Sequence, residues 1–543
     1  MTVAKERETA AHTTKPFVHL FETERVKYVY DVNSNRVMRV NDLHWAVLSN
    51  WDKSDCEIAA SAPGSAEREV SEMRAKIRGL SESNELYSAN RPKAVKAAFN
   101  REYAEKTLMT DCTQLILCVS ERCNLRCKYC YYTGGRTAER RHSHSLMTWE
   151  TAEKALRFFL PRCQGTLAKW KEQRLAIKSG QEIPAGDAAN RPCVGFYGGE
   201  PLTNWPLMKR VIEYVRAQDN GGEYMVNCTL NGTLLTPEIA KFMAAKEVHL
   251  NISLDGPREY HDRYRRFANG RPSWDTVVKN LRWMNENLPE YYREHVGLLG
   301  VMAPPLDLLK LAEFVEDWEP MPGNGIRFNG VQTEDPPCFW NSLDPDQKKI
   351  AGKEQLWNEY VEAAVAGKLS FARPPDPGKE ERRLRMLRQL YDISLGLAYC
   401  RTGRMYAGKA LLPPTIYLNF GMCLPGQERV YVRVDGKILP CERLPSQAPD
   451  LIIGDVDRGF DMDAIMNICD QNAAVSADQC VKCWNVLMCS IPCAMLVNEE
   501  GRISRDSKSV ACKEARIRSH MALESMCTVL ERNRNALEFL NDL

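Results

Sequence analysis

The sequence predicts an α/β protein built from several units, and three features carry that reading. Short apolar runs near 114–119, 193–197, 224–230, 248–254, 296–302 and 325–331 alternate with helical patterns. Ahead of about Pro92 stand three short strands followed by two helical patterns, set off as a small front unit. Behind the alternating region, cysteines crowd between Cys423 and Cys512. A chain of 543 residues has room for about three or four ordinary domains.

Taken in order, residues 19–22, 26–32 and 37–40 read as strands, separated by turn residues such as Asn33-Ser34-Asn35. Helical patterns follow over 43–51 and 66–81. Residues 164–191 are longer and more polar than an ordinary connection and read as an insertion. From about 344 to 412 the chain is helical and charged, with a proline-rich break at 373–377, as a bridge to the cysteine-rich part. There, 430–434 alternates in and out, Asp435-Gly436 is a hairpin turn signal, and 438–439 returns towards Cys441. A helical pattern over 512–543 closes the chain. His142 and His144 fall in a polar loop and read as solvated.

Composition narrows the function classes. With 73 basic and 71 acidic residues, nothing points to nucleic acid or a membrane surface as the main partner. No stretch approaches the length of a spanning helix, and the first residues lack the apolar core of a signal peptide. The expected location is the cytoplasm. Twenty cysteines in such a compartment argue for metal or redox chemistry and against a disulfide framework.

Cys123, Cys127 and Cys130 lie in the string Cys-Asn-Leu-Arg-Cys-Lys-Tyr-Cys, directly after the apolar run at 115–119. Three thiolates on one short loop suit a [4Fe–4S] cluster, and holding it by three ligands leaves one iron open for chemistry. A zinc knuckle lacking its fourth ligand, or cysteines that merely pack, is the competing reading.

This Cys-x3-Cys-x2-Cys pattern, with an aromatic residue before its last cysteine, resembles the signature of the radical S-adenosylmethionine (SAM) superfamily. Phe196-Tyr197-Gly198-Gly199-Glu200-Pro201, Asn231-Gly232-Thr233 and Ile252-Ser253-Leu254-Asp255-Gly256 follow in the order that family expects. The resemblance implies a partial (β/α)6 barrel over 105–343, with a cluster whose open iron chelates SAM and cleaves it to a 5′-deoxyadenosyl radical. It implies SAM contacts at Tyr129, Gly198, Gly199, Glu200, Pro201, Asn231, Ser253, Asp255, Arg265 and Gln332. Within that set, Glu200 corresponds to the amino-group ligand, Ser253 and Arg265 to ribose and carboxylate contacts, and Tyr129 to an adenine-side contact.

Cys423, Cys441, Cys480, Cys483, Cys489, Cys493 and Cys512 resemble the seven-cysteine SPASM extension of peptide-modifying radical SAM enzymes. Zinc ribbons are the rival reading of the Cys-x2-Cys pair. The resemblance implies an iron–sulfur domain at 413–515 with two auxiliary [4Fe–4S] clusters, making three in all. Cys480, Cys483, Cys489 and Cys512 would hold one, and Cys423, Cys441 and Cys493 the other. Sulfatase-maturing relatives carry a further cysteine between the positions of Cys423 and Cys441, and this chain has none there. Either Cys400 supplies a fourth ligand or an iron is open. Glu442 matches the place of those relatives' catalytic aspartate and is the candidate base, with a hairpin cap or a pair with Arg443 as its structural alternative.

The front unit, 1–95, resembles the winged-helix leader-recognition element of ribosomal-peptide maturases, particularly those that build thioether-bridged ranthipeptides. The expected activity is therefore SAM-dependent radical modification of a ribosomally made precursor peptide bound through its leader, with a Cys thioether crosslink as the expected product. The expected electron source is a flavodoxin-like or ferredoxin-like one-electron reductant. Maturation of a whole enzyme, such as a sulfatase or a quinohemoprotein amine dehydrogenase subunit, is the alternative. A non-catalytic iron–sulfur electron carrier is a third reading, and it leaves the SAM-site segments unexplained. The remaining units are the bridge, 344–412, and a C-terminal helix, 516–543.

Overall fold

Alternating apolar residues build the front of the chain into a three-stranded antiparallel sheet of β1 (Val18–Glu22), β2 (Lys27–Asp31) and β3 (Arg36–Val40), with β2 in the middle. The chain is described here by a computed structural model covering residues 15–62, 64–130, 132, 141–179, 190–331, 339–370, 378–399, 412–418, 423–491, 496–498 and 500–542. Because successive strand residues face opposite sides, the sheet serves two cores. Phe21, Tyr28 and Tyr30 join the main core of the molecule. Val29 packs with Val47, Trp51, Ile58, Val70 and Ile77 in a small core of its own.

Helices Asp42–Ser49 and Glu67–Glu82 lie where the apolar spacing predicts them. A third, Asp55–Ser61, is an addition; Ser54 and Glu57 form a capping box at its start. β4 (Ala94–Ala97) completes the front segment.

The six alternating runs become parallel strands within a residue or so of their expected bounds. They are β5 (Gln114–Ser120), β6 (Cys193–Gly198), β7 (Met225–Leu230), β8 (His249–Ser253), β9 (Val296–Met302) and, after the short β10 (Leu306–Asp307), β11 (Ile326–Gly330). Each pairs in parallel with its predecessor among the six. Amphipathic helices cover them; in Trp205–Arg216, Leu207, Met208, Val211, Ile212 and Val215 form the buried stripe. β12 (Ile350–Ala351) pairs with β10.

The cysteine-rich part does not stand apart from this sheet. β13 (Thr415–Leu418) pairs in parallel with β4. β14 (Arg429–Val432) runs parallel beside β5, in register from Arg429 opposite Gln114. The expected hairpin follows as β15 (Lys437–Leu439), antiparallel to β14, and then β16 (Gly454–Asp455) and β17 (Gly459–Phe460). The result is one ten-stranded sheet, ordered β11-β9-β8-β7-β6-β5-β14-β15-β16-β17.

The insertion is the helix Gln164–Lys178, of which only Thr166 and Leu167 are buried, and its remainder at 180–189 lies outside the described residues. The bridge supplies helices Lys353–Val365 and Lys379–Tyr399. The last helix departs from the expected boundary at 515/516. It runs unbroken over Arg505–Arg532, capped by Ser504 and free of Gly and Pro. β1 packs against it, so the front sheet and the cysteine-rich region share this helix. None of the described helices is long and apolar enough to cross a membrane.

Candidate active site at the carboxyl ends of the parallel strands

Parallel α/β sheets bind ligands at the carboxyl ends of their strands, and four of the sequence segments converge at that edge. The chain leaves β5 into the loop of Cys123, Cys127 and Cys130. β6 leads into Gly198-Gly199-Glu200, which lies directly on that loop. Gly199 N–H donates to Ser120 O (2.8 Å) and Glu200 N–H to Arg122 O (2.7 Å). The contact demands glycine: a Cβ would stand 2.1 Å from Ser120 O at Gly198, where φ is +140°, and 2.4 Å from Arg122 O at Gly199.

Glu200 is 1% exposed. Its carboxylate accepts from Asn231 N–H (2.7 Å) and Leu202 N–H (3.2 Å). Burial outweighs these bonds and pushes its pKa up to about 7. Pro201 opens the short 3-10 turn that Glu200 caps. Asn231, at the end of β7, donates to Asn124 (2.8 Å) in the cysteine loop, and its side-chain oxygen accepts from Thr233 N–H (2.9 Å). Asn124 in turn donates to Thr233 Oγ1 (2.7 Å), closing a lock between the two loops.

A second cluster sits beyond β8. Ser253 and Asp255 are buried there. Asp255 accepts from Arg265 Nε at 3.0 Å, from Val301 N–H at 3.0 Å and from the Tyr129 hydroxyl. Arg265 reaches Cys127 Sγ (4.0 Å) and lies 5.5 Å from the Tyr129 ring centroid. Burial disfavours the charged guanidinium, but Asp255 overrides it and raises the Arg265 pKa. Burial likewise holds Tyr129 protonated. Tyr264 and Phe339 meet the Tyr129 ring edge-on.

The three loop thiols are close enough to weigh on one another's ionisation. Burial raises Cys123 to about 11 and Cys127 to about 12. Neutral thiols are favoured there unless a cation compensates the thiolates, which is what iron does. Leu125 N–H and Tyr132 N–H already donate to Cys123 and Cys130 Sγ (3.4 and 3.5 Å). Among the described residues no three His, Cys, Asp or Glu side chains are grouped as ligands of a single ion. A cubane takes one thiolate per iron, and three thiols on one loop fit that group.

In the cysteine-rich region, Cys480, Cys483, Cys489 and Cys512 line one cavity of about 260 Å³. Burial raises the Cys489 thiol to about 12, and the other three thiols add to that. This donor set too fits a cluster, with all four ligands present. Cys423 and Cys441 are described, whereas Cys493, Cys400 and Gln332 lie outside the described residues. Glu442 pairs with Arg429 on β14; Arg443 approaches only to 3.9 Å. Burial opposes ionisation of Glu442, and the Arg429 guanidinium outweighs it, holding the carboxyl below its usual range. Cys441 S–H donates to Glu442 (3.2 Å).

Two residues escaped the sequence reading. Ser120 Oγ and Thr203 Oγ1 share a hydrogen bond of 2.6 Å that ties β5 to the Glu200 turn. His142 is expected in solvent, but its ring stacks on Tyr132 (5.3 Å) and its buried Nδ1 has no hydrogen-bond partner among the described residues, while His144 is exposed.

Residues 180–312 match the radical SAM superfamily model. Over 176 residues the chain is 28% identical to the radical SAM cyclopropyl synthase TigE of Paramaledivibacter caminithermalis, covering 32% of each protein. Over 186 residues it is 27% identical to a cysteine-type anaerobic sulfatase-maturating enzyme of Clostridium novyi, covering 34% of this chain and 43% of that one. The chain thus spans about a third to two fifths of the length of these relatives. A solved structure described as native anSMEcpe with bound AdoMet aligns over 76% of this chain and 98% of that one, with a TM-score of 0.47 and 16% identity. Over residues 180–312 the chain is thus similar to radical SAM domains, a likeness that implies SAM and a [4Fe–4S] cluster.

Proposed function

We propose that the chain is a radical SAM maturase of a ribosomally made peptide, and that it forms a Cys thioether crosslink. The observation that carries this reading is the meeting of the Cys123 loop with Glu200, Asn231, Asp255 and Arg265 at one sheet edge. In this reading the parallel strands are the partial barrel of the family. Cys123, Cys127 and Cys130 hold three irons of the first cluster. When bound, that cluster and SAM supply reductive cleavage of a sulfonium bond, yielding a carbon radical that takes a hydrogen atom from the substrate.

The chain's own residues bind and orient. Glu200 offers a buried carboxylate to the SAM ammonium, and the cost of burying its charge falls when a cation sits beside it. Arg265, steadied by Asp255, directs cationic hydrogen bonds towards the Cys127 side of the site. Tyr129, Tyr264 and Phe339 form an aromatic wall that excludes water. Arg429 keeps Glu442 ionised, able to accept a substrate proton at some loss of basicity. Cys480, Cys483, Cys489 and Cys512 hold a second cluster, and Cys423, Cys441 and Cys493 a third, in the manner of a SPASM domain.

The front sheet supports the peptide assignment. β3 is an outer strand, and Arg36 and Arg39 on it are exposed. A leader peptide can add there as a further strand, as in a winged-helix recognition element. A flavodoxin-like or ferredoxin-like protein is the electron donor, and a reducing cytoplasm suits the chain's twenty cysteines. Sulfatase maturation is the second reading, favoured by the names of several relatives.

The test uses anaerobically reconstituted full-length protein with dithionite, SAM and a Cys-containing precursor peptide. The expected products are 5′-deoxyadenosine and a peptide lighter by two hydrogens. No SAM cleavage by the reduced protein would sink the enzyme reading. Cleavage with oxidation of a sulfatase-derived peptide, and no change in a precursor peptide, would favour the second.

A further inference from the structure

The cavity of Cys480, Cys483, Cys489 and Cys512 is charged in a way its cysteines do not require. Among the described residues, two cations line it, Lys508 and Arg516, and no Asp or Glu does. Lys508 is 4% exposed. It lines the cavity together with Cys480, Cys483, Cys489 and Cys512. No carboxylate among the described residues forms an ion pair with it. Lysine is almost never fully buried unless paired, since an isolated ammonium is costly to remove from water.

The position follows from helical spacing. Lys508, Cys512 and Arg516 stand four residues apart on Arg505–Arg532, hence on one face, with Cys512 between the two cations. Lys508 also lies in the first turn, where the helix dipole adds positive potential. An anion within the cavity would supply the counter-charge for such a burial. A cluster ligated by four thiolates is one, and it gains a further negative charge on reduction.

We propose that Lys508 sets a fixed positive charge against the cluster held by Cys480, Cys483, Cys489 and Cys512 and so raises its reduction potential. A nearby cation stabilises the more negative, one-electron-reduced cluster over the oxidised one. The cluster is thereby a better acceptor for an electron than its four thiolates alone would make it. Lys508 is a positioning residue for charge, and it ligates nothing. The inference rests on the reading of these cysteines as cluster ligands.

The experiment is an EPR-monitored redox titration of the reconstituted full-length protein, reduced by dithionite, with iron and sulfide assayed alongside. The signal of this cluster is identified as the one lost in Cys483→Ala. Lys508→Met is expected to keep the iron content and move the midpoint of that signal to lower potential, while Lys508→Arg keeps it near the wild-type value. Loss of this cluster in Lys508→Met with retention in Lys508→Arg would equally support the charge as its counter-ion. An unmoved midpoint in Lys508→Met at full iron content overturns the role of Lys508. Unchanged iron in Cys483→Ala overturns the cluster reading itself, so the two failures are distinguishable.

Discussion

Glu200→Gln isolates the charge at the centre of the site. Burial lifts this carboxyl from 4.5 to about 7 in the folded protein, against the opposing pull of the Asn231 and Leu202 N–H groups. A carboxyl whose folded pKa is raised favours folding while protonated. Its contribution is complete below the unfolded pKa and is lost as pH climbs through the folded one. At about 1.4 kcal/mol per pKa unit, the full loss is about 3 kcal/mol, of which roughly 2.5 kcal/mol falls between about pH 5 and pH 8. Glutamine cannot ionise and lacks that dependence. Its amide would turn an NH2 towards one of the two N–H donors, a pH-independent cost of roughly 1–3 kcal/mol. The informative quantity is therefore the change with pH, not the level at one pH. Denaturant unfolding of metal-free, thiol-reduced protein at the two pH values reads it. The stability difference between variant and wild type should move in the variant's favour by about 2.5 kcal/mol on going from about pH 5 to pH 8. Identical pH dependence in the two proteins would refute the idea that Glu200 carries a strained buried charge. In the holoprotein the same substitution should weaken SAM binding by about 10–100-fold, the worth of a charge-assisted bond to the ammonium.

Three further substitutions probe the frame around that charge. Gly199→Ala sets a methyl 2.4 Å from Arg122 O and must push the Cys123 loop away; iron per chain should fall by one cluster, with far-ultraviolet circular dichroism unchanged. Asp255→Asn leaves the Arg265 guanidinium buried without its counter-charge, so unfolding free energy should drop by about 3–5 kcal/mol. Arg429→Met removes the cation that holds Glu442 down, and burial then raises that carboxyl. The variant should therefore lose more stability at about pH 8 than at pH 5, because a raised carboxyl weakens folding only once it ionises; an equal loss at both pH values would count against the pairing.

What was legible in the sequence follows from what is local. β5 to β8 could be read because each is a short apolar run leading into a glycine, asparagine or cysteine motif at one sheet edge, and β9 from its apolar run alone. The hairpin of β14 and β15 could be read from its Asp435-Gly436 turn. The helix Asp55–Ser61 was within reach too, since Ser54 and Glu57 stand at capping-box spacing, but its seven residues carry too little apolar periodicity to stand out.

The joining of the units is non-local and left no such mark. β14 lies beside β5 although more than three hundred residues separate them, and only the complementarity of two apolar strands in space selects that pairing. The pairing matters for chemistry, because Arg429, which pairs with Glu442, then lies beside the amino end of β5, whose carboxyl end leads into the Cys123 loop. Likewise His19 on β1 stacks at 3.6 Å on Trp484, the residue after Cys483, and shares a 2.8 Å hydrogen bond with His520. A strand of the unit expected to recognise a leader is thus in ring contact with the cysteine-rich region. A peptide bound along the front sheet would therefore be held by a unit that packs against Trp484, the residue after Cys483. The separation into independent domains that composition suggests is, at these contacts, replaced by one continuous core.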